Sequence, residues 1–277
     1  MSDDVNEDRI YTDTRDRNVV YLATATGVAF VKVAGSFVGR FGVAHRCDAR
    51  DVAATDDRLA VATSDGVLAY AGDEFVPVGF DDATTVGFDG DDVVAAAADG
   101  RVARMTAPDE WTDLGTLDAD VRAIDGDLVA TDAGVYRAGD DALQHVGLDD
   151  VRDVAAPGVP HAATADGLYR LGNGWMDVLD GDFHAVAIDP TTAEPGSPAL
   201  AHAATRESLF EYLNGEWTPV DLPVAEPVLD VAYGEGLYVV TEDATFMANS
   251  GGTCAPEDDG WRIQQLGFRD VRGVALL

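Results

Sequence analysis

Lysine is almost missing from this sequence: Lys32 is the only one in 277 residues, and the other 17 basic side chains are arginines. Phosphate contacts need a basic footprint, so direct nucleic-acid binding is disfavoured. Cysteine is nearly as scarce, and Cys47 and Cys254 alone make no disulfide framework. No apolar run approaches the ~20 residues of a membrane helix. The opening residues, MSDDVNEDRI, carry neither the basic flank nor the apolar stretch of a secretory signal. A soluble, cytoplasmic protein without membrane contact is therefore expected. No window shows the periodicity of an amphipathic helix. Aromatic residues amount to only 8%, so a core must be built largely from alanine and valine.

Acid is what the chain has in excess. Of its 51 acidic residues 40 are aspartate, and the formal net charge is −33. The acids are scattered through apolar segments instead of being gathered in blocks, which favours a folded domain over a disordered tail. Repulsion among so many like charges destabilises a compact state in dilute buffer. Molar salt shortens the screening length to about 3 Å and makes the same charge tolerable. The composition resembles that of proteins from salt-in halophilic archaea, so the acidity is read as habitat before partner.

One phrase recurs along the chain. LATATGVAF, LAVATSDGVLAY, AAAADGRVA, LVATDAGVYR and AATADGLYR place Gly27, Gly66, Gly100, Gly134 and Gly167 at corresponding points. HAATRESLFEY and YVVTEDATFMA are looser copies, with Ser208 and Ala244 at the marker. Each copy supplies a strand, a tight turn whose glycine provides positive φ, a second strand, an aromatic-centred strand, and a short Val-small-apolar piece. The short pieces are Arg50–Ala54, Thr84–Phe88, Val121–Ile124, Arg152–Ala156, His184–Ile188, Leu229–Tyr233 and Arg272–Leu276. Four short strands per ~36 residues is the pattern of a β-propeller blade.

An all-β fold is thus expected: a seven-bladed propeller of four-stranded antiparallel blades, with six blades as the fallback. The first copy begins on a second-strand phrase and the last ends on an innermost-strand phrase. The C-terminal strand should therefore join the N-terminal blade and close the ring, removing open sheet edges. Residues 1–17 are expected to be a polar tail and 18–277 a single domain. The ATxDGLYR…G.W phrase resembles regulator-type (WD40/YVTN-like) and Asp-box-type propeller repeats, and with the composition it is similar to a haloarchaeal propeller family. The Ser/Thr-x-Asp-x-Gly spacing and following Trp of the Asp-box are not reproduced, so no sialidase-like activity is carried over. Fold alone does not specify function.

The chemistry-bearing residues give few sharp patterns. His45 and Cys47 stand two apart, but Cys254 is expected on the opposite face, so no metal site is assigned. No G-x-S-x-G elbow, phosphate-cradling glycine loop or complete calcium loop occurs, and neither catalytic residues nor cofactors are expected. His161 and His202 precede Ala-Ala in strands and read as packed residues. Arg40, Arg46, Arg50, Arg122, Arg152, Arg269 and Arg272 are all placed in or just after loops entering innermost strands, where a propeller would gather them at one channel mouth. His184 takes a comparable place, and Asp51, Asp153, Asp230 and Asp270 accompany them. Two readings stay open. Either the arginines and aspartates tie blade to blade through bidentate pairs, or Arg50, Asp51, Arg122, Arg152, Asp153, His184, Asp230, Arg269 and Arg272 form a site for an anionic ligand or an acidic partner segment. Two long inserts, 189–199 and 249–260, should share the face opposite that mouth and are candidates for partner docking. The function expected is a non-enzymatic scaffold that holds another protein; a small-anion sensor or enzyme at the channel mouth is the alternative.

Overall fold

A computed structural model describes residues 18–197, 199–250 and 260–277. The polar tail assigned to 1–17, Cys254, and the middle of the 249–260 insert lie outside the described residues.

Runs of four to nine residues, broken by Gly- and Asp-rich turns, form 28 strands in seven four-stranded antiparallel sheets. Blade 1 holds β1 (Asn18–Thr24), β2 (Gly27–Ala34) and β3 (Phe37–His45), and blade 2 holds β4 (Ala49–Ala54), β5 (Leu59–Thr63), β6 (Gly66–Ala71) and β7 (Glu74–Pro77). Blade 3 is β8 (Ala83–Asp89), β9 (Asp92–Ala97), β10 (Arg101–Ala107) and β11 (Glu110–Thr116). Blade 4 is β12 (Val121–Asp125), β13 (Leu128–Thr131), β14 (Gly134–Ala138) and β15 (Leu143–Gly147). Blade 5 is β16 (Val151–Ala155), β17 (His161–Thr164), β18 (Gly167–Leu171) and β19 (Trp175–Asp180). Blade 6 is β20 (Phe183–Ile188), β21 (Ala201–Thr205), β22 (Leu209–Leu213) and β23 (Glu216–Val220). Blade 7 is β24 (Val228–Tyr233), β25 (Leu237–Thr241), β26 (Thr245–Asn249) and β27 (Arg262–Gln265). The last strand, β28 (Val271–Leu276), pairs with β1 and becomes the innermost strand of blade 1. Seven blades and closure by the C-terminal strand are as expected from the repeats.

The core is not one mass. Seven small apolar clusters occupy the seven boundaries between neighbouring blades; the one between blades 7 and 1 contains Val20, Leu22, Tyr238 and Phe246. Each blade buries both faces only because a neighbour lies on each side, so an isolated blade has no stable core. Outer strands add their own cross-boundary ties: Trp111 Nε1 donates to the Val78 carbonyl at 2.8 Å and Trp175 Nε1 to the Val146 carbonyl at 3.1 Å.

The marker turns are more specific than glycine alone implies. Thr24, Thr63, Thr131 and Thr164 each donate a hydroxyl to the carbonyl three residues on, at 2.7–2.9 Å, and accept a backbone N–H from within the turn. Gly27 has φ +141°, and a Cβ there would fall 2.0 Å from the His45 carbonyl oxygen. Gly167 has no positive φ; it is required because a Cβ would meet the Leu179 carbonyl oxygen at 2.8 Å. Close approach of two chains, as much as turn conformation, explains the repeated glycine.

Candidate functional site

Each of the seven innermost strands carries one extra residue relative to its partner strand, a β-bulge near its start. The bulged residues are Arg272, Arg50, Thr84, Arg122, Arg152, His184 and Leu229, in blade order. A bulge re-aims the side chain it holds. Here it turns five basic or potentially basic groups toward one rim of the ring, beside the loops that enter each blade.

Four guanidinium groups use that position in one way. Arg50 Nη1 donates to Asp82 Oδ1 at 2.7 Å and to the Ala83 carbonyl at 3.2 Å, both at the entrance of blade 3. Arg122 Nη1 meets Asp150 Oδ1 at 2.6 Å and the Val151 carbonyl at 3.3 Å, entering blade 5. Arg272 Nη1 meets Asp48 Oδ1 at 2.8 Å and the Ala49 carbonyl at 3.1 Å, entering blade 2. Arg152 pairs with Asp182 before blade 6. Because carbonyls only accept, the contact of 2.5 Å between His184 Nε2 and the Val228 oxygen places a proton on Nε2. Burial pushes the His184 pKa down, so the ring is neutral; its Nδ1 is buried without a partner among the described residues.

The residues just inside the bulge form a second, acidic layer. Asp51 accepts the N–H of Val52 at 2.8 Å through Oδ1 and that of Val86, in the next blade, at 2.9 Å through Oδ2. Asp153 does the same with Val154 and Val186, both at 2.8 Å, and Asp230 with Val231 at 2.7 Å and Val274 at 2.9 Å. Two residues further in than its counterparts, Asp125 Oδ2 accepts from Ala156 N–H at 2.8 Å. Gly273 keeps room between two of them, since a Cβ there would lie 3.3 Å from Asp51 Oδ1 and 3.9 Å from Asp230 Oδ2.

These carboxylates keep an edge open to the channel but are walled by strands elsewhere. Burial raises the Asp51 pKa to about 7 and that of Asp230 to about 6; the backbone donors oppose the shift. Burial raises Asp153 as well, and the charge of Asp230 adds to it. Asp150, by contrast, is lowered by its bond to Arg122.

With Thr85 Oγ1 donating to the Val121 carbonyl at 3.1 Å, each of the seven blade boundaries holds at least one side-chain tie around the channel. The channel itself is a cavity of about 810 Å³. Of the nine residues expected there, Asp51, Arg122, Arg152, Asp153, His184, Asp230 and Arg272 line it. Arg50 stands in the same rim ring. Arg269 is exposed in the loop before β28 and is not one of the lining residues. Arg40 corrects the expectation outright: it lies on β3, the outermost strand of blade 1, far from any entering loop, because β3 is nine residues long and ends only at His45.

The remaining expected groups are accounted for by packing. His45 packs at a tilt against Phe75 with centroids 5.4 Å apart, and burial raises the pKa of the half-buried Cys47 thiol. No group of three or more metal-type ligands gathers among the described residues. His161 is buried on β17, and His202 is fully buried on β21, bonded through Nδ1 to Tyr233 and 3.5 Å through Nε2 from Glu211. The Asp-to-backbone ties and the turn threonines were not foreseen. The Arg-Asp and Leu-Asp pairs in three of the Val-small-apolar pieces were the available signal for the former, and the Ala-Thr before five of the seven markers for the latter.

A closed ring of seven four-stranded blades defines the class: a β-propeller with side-chain ties around its channel. The chain belongs to the HVO_0234-like β-propeller family, whose model matches residues 4–277. No curated protein sequence matches it. Among solved structures it is similar to the extracellular domain of the BT4673 two-component system of B. thetaiotaomicron, at 13% identity and a TM-score of 0.63 over 83% of this chain; the match spans only 36% of that chain. It is similar to the Pan2 WD40 domain of Neurospora crassa, at 11% identity and TM-score 0.59 over 80% of this chain and 82% of the other. A structure of YCF48 bound to a D1 peptide matches at 12% identity and TM-score 0.58, over 90% and 86%. At these identities the likeness is one of fold.

Proposed function

We propose that the chain is a non-enzymatic, cytoplasmic interaction platform that holds another protein, in a cell with high internal salt. One observation carries this reading: four arginines and three aspartates that converge on the channel are already engaged within the ring. Arg50, Arg122, Arg152 and Arg272 each hold a carboxylate at the entrance of the next blade, and Asp51, Asp153 and Asp230 each hold two backbone N–H groups. A catalytic base or nucleophile needs a free atom facing substrate. The fold is consistent with a binding role, and the propeller bound to a D1 peptide supports a protein or peptide as the partner. Propeller rims and outer strands then carry recognition, while the channel serves as a hub.

The test is purification of the tagged chain from its own cells in molar KCl with mild cross-linking. One protein at near-equal stoichiometry, which rebinds the purified chain, is the expected result. A thermal-shift rise with anionic metabolites or sugars, and no rebinding protein, would replace this reading with a small-anion site at the mouth.

A further inference from the structure

On this strongly acidic molecule, seven of the 15 described lysine and arginine side chains hold an acid in an ion pair. Arg50, Arg104, Arg122, Arg137, Arg152, Arg206 and Arg272 each pair with an aspartate or glutamate. Lys32, the one lysine of the chain, and Arg40 hold none among the described residues, although 51 acids are available. Both line a cavity of about 420 Å³ on the β2–β3 hairpin, together with Phe37 and Gly39. Phe37 is 70% exposed, the most exposed of the large apolar side chains. Gly39 keeps the floor open, since a Cβ there would come 3.1 Å from the Lys32 carbonyl oxygen and 3.8 Å from the Phe37 ring. Arg40 is steadied over the Phe30 ring, 5.8 Å from its centroid. The strand beside the cavity, β3, is the longest outermost strand, nine residues against four to seven in the other blades, and its outer edge carries backbone groups with no sheet partner among the described residues.

We propose that this hairpin is the docking surface of the platform and takes an extended acidic segment of a partner protein. A carboxylate sits between Lys32 and Arg40, an apolar side chain lies against Phe37, and the segment runs along the open edge of β3. Charge complementarity selects the occupant. Desolvated apolar surface without neutralised cations rejects a basic or purely apolar segment, and a second whole copy would bring a further net charge of −33. At molar salt, repulsion from distant acids is screened within about 3 Å while contact pairs persist. The proposal rests on the platform reading and adds its site and partner chemistry.

The probe is a fluorescein-labelled peptide of repeated Asp-Phe-Glu, titrated in molar KCl and read by anisotropy. The expected result is saturable binding that weakens about tenfold or more in K32E/R40E and measurably in F37A, and is unchanged in R262E on the outer strand of blade 7. The Asn-Phe-Gln version of the peptide should not bind. No binding by the wild type, or equal binding by K32E/R40E, overturns the proposal. So does a concentration-dependent dimer that K32E/R40E abolishes, which would assign the surface to a second copy. If the protein captured from cells rebinds K32E/R40E as well as wild type, the platform stands and this surface falls. If no partner rebinds either form, the platform reading falls on its own evidence.

Discussion

Arg122 reaches across a blade boundary to hold both Asp150, at 2.6 Å, and the carbonyl of Val151, at 3.3 Å. The same two-point grip recurs at Arg50 and Arg272, so the rim is a set of clasps between neighbours. Exposed pairs of this kind contribute roughly 0.2–1 kcal/mol each. Arg122→Gln should therefore lower the melting temperature by roughly 1–3 °C, and Arg122→Glu by more, because it faces Asp150. Scanning calorimetry in molar KCl measures both. An unchanged melting temperature in the charge reversal would mean the clasp contributes nothing.

Stability should respond to pH through the inner carboxylates. Asp51 and Asp230 are raised from the usual range to about 7 and about 6. Between pH 4 and 7 the unfolded chain has released these protons while the native ring retains them, so the native state binds more protons and stability falls as pH rises. The contribution is fully present below the unfolded value of ~4 and gone above the folded ones. Chemical denaturation from pH 4.5 to 7.5 at fixed molar salt checks it, and D230N should flatten the slope. A steeper slope in D230N, or a carboxyl-carbon NMR titration placing Asp51 in the ordinary range, refutes it.

The turn threonines predict a graded series. Thr131 is buried and donates to the Gly134 carbonyl at 2.7 Å, whereas Thr205 donates to the Ser208 carbonyl at 3.3 Å. Thr131→Val keeps the shape but strands a carbonyl and the Ala133 N–H, costing about 1–3 kcal/mol. Thr205→Val should cost less. Equal losses in urea unfolding would show that the hydroxyl bond is not the cause.

Two glycines separate conformation from contact. Gly72 has φ +77° and nothing within 4 Å of an added Cβ, so Gly72→Ala should cost about 1 kcal/mol. Gly27→Ala drives a methyl into the His45 carbonyl and should cost several times more or prevent folding. Comparable expression and melting of the two variants would contradict this.

Blade number and ring closure were legible because one marker phrase recurs at nearly even spacing, and because the first and last copies begin and end at different points of the repeat. The innermost strands were found to within a residue or two, since Val-small-apolar pieces read alike wherever they occur. The placement of Arg40 failed for a local reason: β3, with two irregularities in its pairing to β2, runs on to His45 and leaves Arg40 in mid-strand. The bulges were invisible because an extra residue leaves no compositional trace. The grip of Asp51 on Val86 was invisible too, since it depends on which backbone N–H the adjacent blade presents.

The extra residue in each innermost strand has a consequence for how such a molecule can change. It hangs outside the ladder of main-chain bonds, so Thr84, Leu229 and His184 occupy the place that arginine holds elsewhere without disturbing the pairing around them. Seven side chains at the rim can thus be rewritten one at a time, leaving the wheel beneath them intact.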